Sequence, residues 1–414
     1  MPLVTILGLP GSALGYAIRD FLYRSDVPFE WVELTTDEQA RAQAGVERLQ
    51  DARLPVCIFA DGTRLECPTV RQITEKLGWF HNPTRSEYDL AIYGAGPAGL
   101  SAAVYGASEG LKTVLIERYA LGGQAGSSSR IENYLGFPGG ISGAELAERA
   151  REQVRRFGAE ILLAREGVRA ECTPHRMGGY LADGTKIVAR ATICATGVAY
   201  RRLDLPHEER FEGAGLYYGA GASEAALAGG AHVVVVGGGN SAGQAALHFA
   251  QAACHVTVVI RGESLSSTLS QYLVDRIAAT PNITVLPQTE VTALDGDEVL
   301  RQITLTDRAT GQSRSVASSW LFVCIGGEPQ TAWAAEARIV RDVGGYLVTG
   351  PDLLRGRQCP AHWPLDREPY YLETSMPGLF AAGDVRHGSI KRCAAAVGEG
   401  AMAVALVHRY LAGG

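Results

Sequence analysis

Nowhere in the 414 residues is there an apolar run long enough to cross a bilayer. The apolar start, MPLVTILGLPGSALGY, has no basic flank before Arg19, so a secretion leader is not expected and the expected address is cytoplasmic. The chain also lacks any CxxC. Its eight cysteines (57, 67, 172, 194, 254, 324, 359 and 393) are scattered along the chain. That pattern excludes a zinc site and, without an export signal, a disulfide framework; small packed hydrophobes are the expectation for most of them. No basic cluster interrupts the net charge of -6, which argues against nucleic acid or an anionic membrane as a main partner. What is present is a 46% hydrophobic, 20% charged composition, that of a soluble globular enzyme with a sizeable core.

The organising stretch runs from Asp89 to Glu117, DLAIYGAGPAGLSAAVYGASEGLKTVLIE. A short apolar run enters a turn at Gly94, Gly96 and Gly99, a helical stretch follows, and a second apolar run ends at Glu117. This is the pattern of a strand, helix, strand unit for a dinucleotide. Gly94 permits the tight turn, Gly96 lets the backbone approach a pyrophosphate, and Gly99 brings helix and sheet together. Glu117 is placed to accept hydrogen bonds from ribose hydroxyls. A second such unit begins at AHVVVVGGGNSAGQAALHFA, with Gly237, Gly239 and, at the third position, Ala242; Asn240 and Ser241 open its helix, and its acceptor strand ends at Arg261.

Residues 1 to 80 read as a small separate module: strand (Leu3 to Leu7), helix (about Leu14 to Ser25), strand (Phe29 to Leu34), a polar helix, the hairpin VCIFADGTRLEC turning at Asp61-Gly62, and a last helix from Val70. This order resembles the glutaredoxin branch of the thioredoxin fold, including a Pro55 expected to be cis. The resemblance also implies a CPxC motif at the start of the first helix. Here the residues are Leu9, Pro10, Gly11 and Ser12, so no activated thiol stands there. Cys57 and Cys67, on the two hairpin arms, are either packed thiols or a strained cross-strand disulfide. The polar stretch His81 to Asp89 reads as a linker.

RYALGGQAG and SSSRIENYLGFPGGISGAEL, with the first glycine-rich turn, resemble the low-molecular-weight thioredoxin reductase family. The resemblance implies an FAD site in which Gly122, Gly123 and Gln124 contact the flavin-bearing half and Asn133 reaches the isoalloxazine edge. A helix is expected from Ala144 to Phe157, then a small antiparallel sheet over Glu160 to Ile193 closing on CATG. The segment from Arg201 to Gly215 crosses to another domain, with Gly213 and Gly215 as pivots. The family's HRRxxxR clamp for the NADPH 2′-phosphate is reduced to Arg261, and the acidic strand end that signals NAD is missing too. NADPH is preferred and NADH stays open. Near the end, Gly383 and Asp384 match the family's GD motif, in which the aspartate binds the ribityl chain. A helix expected from Lys391 aims its dipole at the flavin, with Arg392 in place of a glutamine and Cys393 near the ring as a weak candidate relay thiol.

In that family a CxxC follows the second hinge. Aligning FEGAGLYYGAGASEAAL on it puts Gly219 and Ala222 at the two cysteine positions, beside Tyr217 and Tyr218, which either pack in the core or offer aromatic surface to a planar acceptor. Cys254 and Cys324 read as core residues. The expectation is an α/β chain: a glutaredoxin-like module without active-site cysteines (1–82), a discontinuous FAD domain (87–201 and 329–414) and an NAD(P)H domain (202–328), both Rossmann-like. The implied function is an FAD-dependent oxidoreductase, homodimeric, taking hydride from NAD(P)H and passing electrons to an acceptor other than an internal dithiol. Acceptors in view are ferredoxin or flavodoxin, an external disulfide, quinone or oxygen. The rival is a catalytically degenerate flavoprotein serving as a redox sensor or binding scaffold.

Overall fold

The computed structural model describes residues 2–173, 176–354, 358–360 and 363–413, and the backbone alone of Cys172; the expectation for that thiol lies outside the described residues. The chain starts with β1 (Val4–Gly8), α1 (Ala13–Arg24), β2 (Phe29–Glu33), α2 (Asp37–Gln39), β3 (Val56–Phe59), β4 (Arg64–Glu66) and α3 (Val70–Lys76). The sheet order is β2-β1-β3-β4, with β1 parallel to β2 and antiparallel to β3. The central strand is the apolar one, with Val4, Ile6 and Leu7 all buried. Helix α1 begins where the Ser12 hydroxyl accepts the Gly15 N–H at 3.0 Å, and it buries Ile18, Phe21 and Leu22. The Leu54–Pro55 bond is cis. Cys57 faces Leu65 across the hairpin, Cys67 lies beyond β4, and both thiols are free, so the cross-strand disulfide is not formed.

Next come β5 (Tyr88–Tyr93), α4 (Pro97–Ser108), β6 (Thr113–Glu117), α5 (Gly143–Arg156), β7 (Glu160–Leu163), β8 (Gly167–Thr173), β9 (Arg176–Leu181) and β10 (Lys186–Cys194). The antiparallel pairing expected over 160–193 forms among β8, β9 and the first residues of β10, but as part of a larger sheet and without β7. Strand β7 pairs parallel with β6 at the edge of the main sheet, and β10 is long enough to serve three partners, β9, β5 and a later strand. Its first residues pair antiparallel with β9, and its last pair parallel with β5, joining everything into one seven-stranded sheet.

After the short β11 (Ala199–Tyr200) follow β12 (Leu216–Tyr218), β13 (His232–Val236), α6 (Asn240–Phe249), β14 (His255–Val259), α7 (Gln271–Ala278) and β15 (Ile283–Leu286). Then come β16 (Thr289–Gly296), β17 (Leu300–Asp307), β18 (Ser313–Ala317), β19 (Leu321–Val323), β20 (Gly327–Glu328), α8 (Ala332–Glu336), β21 (Leu379–Ala381) and α9 (Cys393–Ala412). A parallel sheet of order β12-β19-β13-β14-β15 is accompanied by the antiparallel β16-β17-β18. Strand β13, four buried valines after His232, is the strand such a sheet demands at its centre. Strand β21 pairs with β10, returning the chain to the first large sheet.

The chain forms two compact units: Met1–Ile73 with Ser127–Ile131 and Tyr200–Gly327, and Thr74–Gly126 with Glu132–Ala199 and Glu328–Gly414. The polar stretch read as a linker belongs wholly to the second and is fastened there. The Thr84 N–H and hydroxyl donate to the Glu160 carboxylate at 2.8 and 2.9 Å, and the Tyr88 hydroxyl joins them at 2.6 Å. The buried Arg165 guanidinium donates to the His81 carbonyl and to Asn82, pairs with Asp183, and lies 4.3 Å from the Phe80 ring centre.

Candidate cofactor sites

In the second unit the three glycines of the first turn answer to different demands. Gly94 has φ +99°, and a Cβ there would meet Thr196 Cα at 2.8 Å, so the Ala-Thr-Gly stretch at 195–197 backs the turn. A Cβ on Gly99 would collide with the Gly94 carbonyl, which is the close helix to strand approach expected of it. Gly96 is different. A Cβ there would meet nothing nearer than Gly123 Cα at 3.9 Å, so protein packing does not require glycine. Gly96 is also the N-cap of α4, and no side chain caps the helix. Open space in front of uncapped helix N–H groups is the form of an anion cradle, and it fits the pyrophosphate of a dinucleotide.

Other predicted contributors converge on the same turn. The Gly122 N–H donates to the Ala95 carbonyl at 2.8 Å, and Gly123 stacks against Gly96. Gly383 has φ +76° and abuts Ala98, and its N–H donates to Glu399 of α9 at 2.7 Å. The Glu117 carboxylate accepts the Ala95 and Tyr119 N–H groups at 2.7 and 2.9 Å. It borders a cavity of about 160 Å³ at the carboxyl ends of β5 and β6, shared with Gly94, Arg118, Glu166, Gly167 and Thr196. Burial raises the Asp384 carboxyl pKa against the pull of Lys391. Lys391 itself donates to the Asp384 carbonyl at 2.7 Å.

Two expectations shift, the start of the last helix and the burial of Cys254, while the other predicted residues take places of their own. The last helix starts at Cys393, with Arg392 as its N-cap and Lys391 outside it, because Lys391 is tied back to Asp384 and Ser389. The Gln124 amide donates to the Val198 carbonyl at 2.8 Å, so it braces two loops. Asn133 is exposed in its loop. Burial, then the charge of Asp384, holds the Cys393 thiol above its ordinary pKa, the reverse of what a reactive thiolate needs. Cys254 is exposed, since strand β14 starts only after it, whereas Cys324 is buried, its pKa pushed up to about 12.

The second glycine turn, in the first unit, repeats the logic. Gly237 has φ +137° and would collide with the Cys324 carbonyl, Ala242 is buried beneath it, and Gly239, again an uncapped N-cap, has nothing within 4 Å of its Cβ position. The Asn240 carboxamide accepts the Ser270 N–H at 2.8 Å, and Ser241 is exposed. Strand β14 ends at Val259, and Arg261 is exposed just beyond it. A second cation stands there: Arg308 donates to the Arg261 carbonyl at 3.3 Å and lies 3.5 Å from Glu290. It comes from the turn after β17, too far along the chain for any local motif to have marked it.

At the dithiol position, Gly219 has φ +102°, and a Cβ would meet the Tyr200 ring and hydroxyl at 2.6 Å. The space that two small residues were expected to leave is filled by Tyr200, whose hydroxyl sits 3.3 Å from that of Ser127. Tyr217 is core, with ring centres 5.0 Å from Phe322 and 5.8 Å from Trp320, so it offers no surface to an acceptor. The Tyr218 hydroxyl accepts the Leu203 N–H at 3.1 Å, and its ring lies beside Arg202.

Residues 88–400 match the family model for pyridine nucleotide-disulphide oxidoreductases. The chain is 33% identical over 327 residues to a thioredoxin reductase of Treponema pallidum, covering 79% of this chain and 98% of that protein. It is 31% identical over 335 residues to a 34.2 kDa protein in the rubredoxin operon of Clostridium pasteurianum, covering 79% and 98%. Among solved structures, thioredoxin reductase of T. acidophilum matches with a TM-score of 0.69 at 28% identity, over 78% of this chain and 99% of that one. This chain belongs to the pyridine nucleotide-disulphide oxidoreductase family, as a thioredoxin reductase-like oxidoreductase.

Proposed function

We propose that this chain binds FAD at the turn of Gly94, Gly96 and Gly99, takes hydride from NADPH or NADH held at Gly237 to Ala242, and delivers electrons to an acceptor other than an internal dithiol. The observation that carries the acceptor reading is Gly219, whose positive φ and packing against Tyr200 exclude a cysteine side chain where relatives are expected to hold one. FAD, when bound, supplies the chemistry of accepting a hydride and releasing electrons to a second partner. The protein's part is placement: the helix start at Gly96 faces the pyrophosphate, Glu117 the ribose, and Asp384 the ribityl chain. Gly122 and Gly123 line the flavin-bearing half, with Asn133, Lys391, Arg392 and Cys393 toward the ring. Arg261 and Arg308 face a 2′-phosphate, which favours NADPH. Residues 1–73 are a glutaredoxin-like module, an assignment their β2-β1-β3-β4 order supports. The acceptor is a redox protein such as ferredoxin or flavodoxin, an external disulfide, a quinone or oxygen, and the working form is a cytoplasmic homodimer.

Anaerobic titration tests the donor half: NADPH bleaches the flavin absorbance, and a spectrum unchanged by both NADPH and NADH would make the chain the non-catalytic flavoprotein instead. Paired steady-state assays test the acceptor half. Ferricyanide and quinones are reduced and thioredoxin is not, in the parent and in Cys393→Ser alike. Thioredoxin reduction that disappears in Cys393→Ser would make that cysteine a relay and overturn the reading.

A further inference from the structure

The start of α1 carries no thiol, yet it is not open surface. A Cβ on Gly11 would run into the Val299 side chain and lie 3.6 Å from Ala214 Cα. From the other side, a Cβ on Gly213 would come within 2.8 Å of Ala13 Cα and 3.2 Å of the Tyr16 ring. Along the same helix face, the Tyr16 ring meets Tyr217 edge-on at 4.9 Å. One turn later Arg19 reaches Glu224, Nη2 to Oε2 at 2.7 Å and Nε to Oε1 at 3.3 Å. The two side chains are 3% and 0% exposed, and Trp31 flanks the guanidinium at 4.1 Å.

These contacts run from residue 213 to residue 224, the segment that contains Gly219 and Ala222. Their character is that of a core. Backbone meets backbone through glycines, which tolerates little relative movement, and the charge pair balances its desolvation only in this one geometry. Gly213 and Gly215, expected as pivots, are both clasped; a Cβ on Gly215 would lie 2.6 Å from Leu300 Cβ. We infer that the amino-terminal module is a fixed occupant of the 213–224 face, docked through the end of α1 where its fold would carry cysteines and this chain has none, and that it bars an external protein of the same fold from that segment. The exclusion of an outside partner rests on reading residues 1–73 as glutaredoxin-like; the fixed docking does not.

The test uses the full chain with a specific protease site inserted after Gly78, which is exposed, so that the stretch held by Arg165 and Glu160 stays with the remainder. After cutting, gel filtration at low micromolar concentration shows the amino-terminal fragment co-eluting with the remainder. Excess thioredoxin does not displace it. Arg19→Glu sets a carboxylate against Glu224 and releases the fragment, and Arg19→Glu with Glu224→Arg restores retention. A parent fragment that elutes alone, or one retained equally in Arg19→Glu, overturns the fixed docking. Displacement by thioredoxin with the parent otherwise retained overturns only the exclusion. Because elution is read and not turnover, failure here is separable from failure of the acceptor assays.

Discussion

At the residue scale, the glycines divide into those that packing requires and those that it does not, and the division predicts opposite phenotypes. Gly96→Val adds atoms where the nearest protein atom, Gly123 Cα, is 3.9 Å from the Cβ position, so melting of the cofactor-free protein stays near that of the parent while flavin content after purification falls several-fold. Gly99→Val drives a side chain into the Gly94 carbonyl and lowers the melting temperature itself. Absorbance ratio and thermal melts, run side by side, separate the two; an equal loss of flavin and stability in both variants would refute the division. For the nucleotide, Arg261→Ala and Arg308→Ala each raise the KM for NADPH and leave NADH nearly unchanged, since only NADPH carries the 2′-phosphate. Similar effects on both nucleotides would remove the phosphate from this strand end. His232 adds a pH dependence. Burial, then the neighbouring His255, lowers its pKa, so the folded state binds fewer protons than the unfolded chain. Stability from this group is therefore present above the ordinary histidine value and declines as pH falls from there toward the lower folded value. Melts between pH 7 and pH 5 show this slope flattened in His232→Gln. The roles of Gly94, Gly96 and Gly99 were legible because a turn, a pyrophosphate and a helix contact impose a fixed local spacing. Those of Tyr200 and Arg308 were not, because each acts on a residue that only the folded chain brings near.

At the element scale, the stretch from His81 to Asp89 behaves unlike its composition. Polar residues and a proline read correctly as the absence of helix and strand as far as Glu87, with β5 starting at Tyr88, but hydrogen-bonding capacity is also what lets such a segment be fastened down. Arg165, 4% exposed, holds it through His81, Asn82 and Phe80 while also pairing with Asp183. Arg165→Leu removes the pair with Asp183, which stays solvated, and releases the stretch, and a loss of about 1–3 kcal/mol is expected from the hydrogen-bond acceptors left without their donor. Urea unfolding measures the loss, and limited proteolysis shows new cutting within 81–87; a variant as stable and as resistant as the parent would leave the fastening without energetic weight. The elements 160–193 teach a related point. Their alternation marked strands correctly, yet alternation carries no record of partner, and β10 takes both an antiparallel and a parallel one.

For the whole molecule, family membership is carried by residues 88–400, and Arg19, ahead of them in the chain, pairs with Glu224 within them. The two units are interleaved along the chain, and the order of the pieces was readable from two glycine-rich units and the GD motif. The brief excursion of Ser127–Ile131 into the first unit was not, since nothing in SSSRI sets it apart from its neighbours. Interleaving also sets an order of events during synthesis. The first unit has all its residues once Gly327 has been made, while the second still lacks β21, Asp384 and α9. Until then α4 has no partner for the surface where Gly400 will press on Ala98 and the Ser101 hydroxyl will donate to the Val397 carbonyl at 2.8 Å. On a ribosome, where completed domains fold as they emerge, the first unit therefore has all its residues to fold with first, and the second closes only when α9, among the last residues made, has left the ribosome.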